Sequence, residues 1–97
     1  MDRVQLLLGL QVALLGMVTP NMRNISCEAE SGVIRLRTFF DGEVTAEDEE
    51  RMEEVASELI SHFPNADIVS ECIRLDAPDR VPGHLKYLAY SRYERQN

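Results

Sequence analysis

Basic residues are scarce in this sequence. Ten Lys and Arg stand against seventeen Asp and Glu, which leaves a net charge of −7 at neutral pH. Phosphate contacts need clustered Lys and Arg, so the deficit argues against nucleic acid as a ligand. It equally disfavours docking on an anionic membrane. Cysteine is scarce too. Cys27 and Cys72 are far apart, neither lies in a CxxC pattern, and neither has a neighbouring His. They read as two small buried apolar residues in a reducing cytosol rather than as a disulfide, and a zinc site is poorly supported. The signatures GxSxG, HExxH, GxGxxG, the P-loop and the DxDxDG-type calcium loop are all missing. His62 and His84 have no Ser or Cys nucleophile in a recognisable motif, so neither catalysis, a metal nor a cofactor is implied.

Long hydrophobic runs are limited to one. Val4 to Val18 is nearly all apolar, but its fifteen residues fall short of the roughly twenty that cross a bilayer. Gln5 and Gln11 interrupt it, Asp2 and Arg3 precede it, and no small-x-small cleavage site follows before Thr19-Pro20. The stretch reads as a core helix, not a signal peptide or membrane span, and the chain as cytoplasmic. Ninety-seven residues, 44% of them hydrophobic and 28% charged, fit a single globular domain over 1–97. A chain of that size buries roughly two thirds of its unfolded surface without needing staples.

The first helix takes Asp2 as N-cap and must end by Thr19, because Pro20 restricts the residue before it. At about 100° per residue, Gln5, Gly9, Ala13 and Gly16 fall on one side. Val4, Leu7, Leu8, Leu14, Leu15 and Val18 lie opposite, flanked by Leu6, Leu10 and Met17. That arc is wider than one sheet contact requires. Either the helix is wedged between a sheet and another helix, or its flank is an interface. Asn24 to Glu30 then alternates with Ile25, Cys27 and Ala29 inward. After a Ser31-Gly32 turn, Val33 to Phe40 alternates with Ile34, Leu36, Thr38 and Phe40 on one face, so the pair predicts a β-hairpin. Asn24-Ile25-Ser26 matches a glycosylation acceptor, which in a cytosolic chain is chance.

Thr45, with Asp48 three residues on, has capping-box spacing for a second helix. Met52, Val55, Ala56, Leu59, Ile60 and Phe63 keep the i, i+3, i+4, i+7 rule until Pro64-Asn65. Ile68 to Leu75 predicts a strand of ambiguous register, with Ile68 and Cys72 on one face and Val69, Ile73 and Leu75 on the other. A last strand is expected near His84 to Tyr93. The order αββαββ implies an α+β domain: a four-stranded, mainly antiparallel sheet with both helices packed on one face.

Nine of the seventeen acids lie between Asp41 and Glu58, against one base, Arg51. Glu47, Glu50, Glu54 and Glu58 line a ridge opposite the apolar stripe of the second helix, with Asp41 and Glu43 just before it. An exposed ridge lacks the burial that separates the pKa values of a catalytic carboxylate pair. One role for it is a solvated face that keeps the protein soluble. The other is a partner-binding surface whose field speeds association with a basic protein. In the last strand Tyr87 and Tyr90, interleaved with Lys86 and Arg92, suit interface anchors as well as half-buried packing. The unlike charge of the two faces also allows a homodimer.

The segments LLLGLQVALLGMVTPNMRNISCEA, IRLRTFFDGEVTAEDEERMEEVASELISHFP and ECIRLDAP resemble small bacterial immunity-type proteins, the cytosolic antidotes of colicin-like or contact-dependent toxins. The likeness spans most of the chain and rests on no diagnostic catalytic or ligand motif, so it brings no residue roles with it. It implies a non-enzymatic immunity protein, an acidic inhibitor that neutralises a basic, nuclease-type toxin domain. The rival expectations are a self-associating subunit or adaptor, and a small enzyme or ligand-binding domain with a pocket between helices and sheet.

Overall fold

The computed structural model describes residues 1–95. Its elements follow the order α1 (Arg3–Leu14), β1 (Met22–Glu30), β2 (Val33–Phe40), α2 (Ala46–Ile60), β3 (Asp67–Arg74) and β4 (Tyr87–Ser91). The expected αββαββ order and α+β class are both present.

α1 starts at a full capping box. The Asp2 carboxylate accepts from the Gln5 N–H at 2.8 Å, and Gln5 Oε1 accepts from the Asp2 N–H at 3.2 Å. The helix stops at Leu14, ahead of Pro20, where Gly16 takes a φ of +75° that an L side chain adopts only at a cost. Its orientation corrects the helical-wheel expectation. Leu6, Leu10, Ala13 and Leu14 are buried, whereas Val4, Leu8 and Leu15 are exposed. Gly9, on the wheel side opposite the apolar arc, faces the end of α2: a Cβ there would sit 3.1 Å from Leu59 Cδ1. A helix apolar on all sides is oriented by where a neighbour can approach closely, and glycine permits the closest approach.

β1 and β2 form the expected hairpin, with Glu30 opposite Val33 and only Ser31-Gly32 between them. Both turn residues have positive φ, 51° and 78°. Those values match the two-residue turn whose twist suits a right-handed strand pair. After β2, α2 runs back for 15 residues, about 22 Å at 1.5 Å per residue. That returns the chain to the start of β2, so β3 enters beside it in parallel, Val33 against Asp67. The sheet, ordered β3-β2-β1-β4, is therefore mixed. Its β1–β2 and β1–β4 pairings are antiparallel, as expected of most of it, but β2–β3 is parallel. The ambiguous register of β3 resolves with Ile68 and Cys72 against the core and Val69 facing away, 48% exposed.

Both helices pack on one face, α1 over β1 and β4, and α2 over β3. Leu6, Leu10, Ile25, Leu36, Met52 and Leu59 fill the space between the layers, each no more than 1% exposed. On the opposite face the segment 75–86 must cross the whole sheet from β3 to reach β4. It buries Ser26, Phe39 and Leu85, and the Leu85 N–H donates to Ser26 Oγ at 3.0 Å. β4 is shorter than the expected 84–93 because His84 still belongs to this crossing. The rest of that face carries an ion-pair row, in which Glu71 holds Arg35 at 2.7 Å and Arg37 at 3.5 Å.

Candidate protein-binding surface

The acidic helix is built by the same rules that make it amphipathic. Thr45 Oγ1 accepts from the Asp48 N–H at 3.1 Å, and the Asp48 carboxylate accepts from the Thr45 N–H at 3.0 Å. First-turn acids complement the helix dipole. Met52, Val55, Ala56 and Leu59 are buried, and that inner face turns Glu47, Glu50, Glu54 and Glu58 into solvent on the other side. Glu49 and Glu53 flank them, also exposed. Glu50, Glu53, Glu54, Ser57 and Glu58 border a shallow depression on this outer face.

The acids divide into two sets. Asp41, Asp48, Glu71, Asp76 and Glu94 are held by the fold, and each carboxyl lies below its ordinary range. The Arg92 guanidinium and the Ala77 N–H hold Asp41 down. Burial pushes Asp48 up, but the N–H and hydroxyl of Thr45, the Asn21 amide and Arg51 together outweigh it. Arg35 holds down Glu71, with Arg37 adding to it. Arg74 and the Gly42 N–H hold down Asp76. Glu94 is lowered to about 2, chiefly by its hydrogen bonds from Arg23. The ridge is the other set. Arg51, the one Lys or Arg in α2, leans toward Asp48, 3.4 Å away. Among the described residues Glu47, Glu50 and Glu54 make no ion pair, and Glu58 meets only His62, at 3.5 Å.

The sequence-derived surface residues therefore fall into three places. Glu47, Glu50, Glu54 and Glu58 form one continuous exposed stripe, and Glu43 is exposed just before the helix. Asp41 is engaged in the fold, 3.0 Å from Arg92. Tyr87 and Tyr90 pack against the core from β4, at the opposite edge of the sheet from α2. The Tyr87 ring has Arg3 and Lys86 near its face, at 5.8 and 5.5 Å. The ridge and the tyrosines are not brought together.

Two features escaped sequence reasoning. One is a buried arginine, Arg23, whose guanidinium donates to both Glu94 oxygens at 2.7 and 2.8 Å and to the Leu75 carbonyl at 2.7 Å. A charged residue at the head of an apolar strand was its only signal. The other is the facing of α1: an interface on its apolar flank was one of the two expectations, but not which residues would form it, and the exposed ones are Val4, Leu8, Val12 and Leu15.

Among the described residues no cluster of three or more His, Cys, Asp or Glu could hold a metal ion, and no helix is long and apolar enough to cross a membrane. Asn24 is 6% exposed within β1. No curated protein is a significant match to the chain. The family model of the MafI2 immunity protein matches residues 3–94, a span that runs from the first residue of α1 to the carboxylate that closes on Arg23. The chain belongs to the MafI2 immunity protein family.

Proposed function

We propose that this protein is a non-enzymatic inhibitor that neutralises a toxin domain with a basic, nuclease-type surface, and that it does so in the bacterial cytoplasm through the outer face of α2. The observation that carries the reading is the division of the acids. The fold uses Asp41, Asp48, Glu71, Asp76 and Glu94 internally and leaves Glu47, Glu50 and Glu54 without a counter-charge, among the described residues, on one helical stripe. Like charges spaced i, i+4 cost a helix a few tenths of a kcal/mol per pair. An inhibitor recovers that cost when a basic surface docks, and the ridge's field accelerates the encounter. Inhibition then needs no chemistry: covering the toxin's substrate surface suffices.

The test is stopped-flow association with the cognate toxin domain across a salt series. Association should slow steeply as salt rises. Replacing Glu50, Glu54 and Glu58 with Lys should slow it more than tenfold at low salt while leaving the far-UV circular dichroism unchanged. Unaltered association kinetics in that triple variant would remove α2 from the interface.

A further inference from the structure

The stripe that α1 leaves uncovered lies at one edge of the molecule. Val4, Leu8, Val12 and Leu15 are 64%, 60%, 51% and 76% exposed, and their spacing of three to four residues aligns them along the helix. Leu8, Val12 and Leu15 border an apolar groove whose other wall is Ala89 and Tyr90 of β4. The stripe therefore looks sideways past β4, which ends the sheet and has no strand on its outer side among the described residues. An open strand edge beside an exposed apolar stripe invites pairing.

We propose that this edge is the interface of a two-fold homodimer, in which β4 pairs antiparallel with β4 of a second copy and the two α1 helices pack across the axis. Geometry supports both contacts at once. With strands about 4.8 Å apart, a helix seated between β1 and β4 lies about 5 Å from such an axis. Its symmetry mate is then about 10 Å away, the upper end of helix-packing distances. α1 does contact both β1 and β4.

Charge selects a second copy over the toxin as occupant. Only the Gln11 amide and the Tyr90 hydroxyl are polar among the side chains lining the groove, so it offers no acid to a basic partner. A two-fold contact sets each patch on itself, which an uncharged aliphatic stripe tolerates and a charged one does not. The acidic α2 sits over β3, at the other edge. In a continuous sheet of two copies the two β3 strands lie roughly 34 Å apart, several times the Debye length of about 8 Å at physiological salt. Two subunits of charge −7 thus meet through the sides farthest from their acidic ridges.

The area is sufficient for a weak dimer. The four aliphatic residues expose the equivalent of about two and a half whole side chains, or roughly 250 Å² per copy. Ala89, Tyr90, Leu88 and the strand backbone add to this, and about 500 Å² per copy is what the smallest specific interfaces need. The total of about 1,000 Å² stands at the lower bound of specific interfaces, where weak and transient contacts lie.

Analytical ultracentrifugation of the full chain up to about 500 μM is the test. The wild type should shift to twice the monomer mass, and Leu8→Glu with Leu15→Glu should weaken the dimer at least tenfold. Amides of Tyr87 to Ser91 should exchange more slowly as wild-type concentration rises, a readout that needs no variant and decides the matter if the double variant misfolds. A wild type that stays monomeric, a dimer indifferent to the double variant, or β4 amides indifferent to concentration each overturns the proposal. So does a monomeric wild type whose double variant loses toxin neutralisation, since the stripe then belongs to the toxin interface. Lys at Glu50, Glu54 and Glu58 should leave dimerisation intact, which separates this surface from the ridge.

Discussion

Glu94→Gln should cost about 2 kcal/mol of stability and erase much of the acid sensitivity of the fold. Arg23 is 3% exposed, and among the described residues Glu94 is its only carboxylate partner within salt-bridge distance. Removing one member of a buried pair typically costs 3–5 kcal/mol, because the remaining charge is stranded. Here the cost is smaller for two reasons. Arg23 keeps its bond to the Leu75 carbonyl, and the Glu94 side chain is 31% exposed, so water screens part of the interaction. The titration gives a second route to the same figure. A carboxyl lowered from 4.5 to about 2 corresponds to roughly 3 kcal/mol before screening and about 2 after it.

The sign follows from which state holds the proton more tightly. The unfolded chain does, so this stability is fully present above pH 4.5 and is lost as pH falls through that value toward about 2. Urea denaturation at pH 7 and at several points down to pH 3 reads both effects. At pH 7 the variant should lose about 2 kcal/mol, equivalent to a melting temperature lower by roughly 8–16 °C for a domain of this size. The gap between variant and wild type should narrow by more than half at pH 3. A loss under about 0.5 kcal/mol at pH 7, or parallel pH profiles for the two proteins, would refute the account of Arg23 as a buried charge that depends on Glu94.

Ser31→Asn should stabilise the hairpin by about 0.5–1 kcal/mol in urea denaturation, because Asn tolerates the φ of 51° better than Ser does. Gly9→Ala should be nearly neutral, a helix-propensity gain of about 0.5–1 kcal/mol set against the 3.1 Å approach of Leu59. Gly9→Leu should lose about 1–3 kcal/mol by forcing the helices apart, and an equal or higher melting temperature would contradict that packing. Burial, with Glu49, Asp48 and Glu53 adding, pushes the Cys72 thiol from 9.0 up to about 11. Native Cys72 should thus react with iodoacetamide at pH 8 roughly a hundredfold more slowly than the urea-unfolded chain; equal rates would contradict its placement.

How much of this was legible in sequence depended on whether a segment's pattern had two phases or one. Ile34, Leu36, Thr38 and Phe40 alternate with Arg35 and Arg37, so strand, face and turn could all be read in advance. The same holds for α2, whose acids and aliphatics separate cleanly around the wheel and left the ridge exposed as expected. α1 has almost no polar phase, so composition identified the helix but could not orient it; Gly9 against Leu59 did that. The parallel entry of β3 depends on where a helix delivers the chain, a property of length in space rather than of strand pattern. Arg23 and Glu94 are 71 residues apart. Neither residue carries a local sign of the other, and charge alone could not say which acids the fold would consume.

The Arg23 lock also bears on the order of events during synthesis. Chains emerge from the ribosome N-terminus first. The hairpin and α2 are made long before β4, Arg92 and Glu94, the residues that cover β1's free edge and neutralise its buried guanidinium. A chain that stops before β4 leaves the edge of β1 open, and one that stops before Glu94 leaves the buried Arg23 charge at the head of β1 without its carboxylate. Both changes lower stability, so such fragments should be proteolysed faster than the full chain. The last residues to be made thus close both openings together, and the full stability of the fold is reached only once Glu94 is in place.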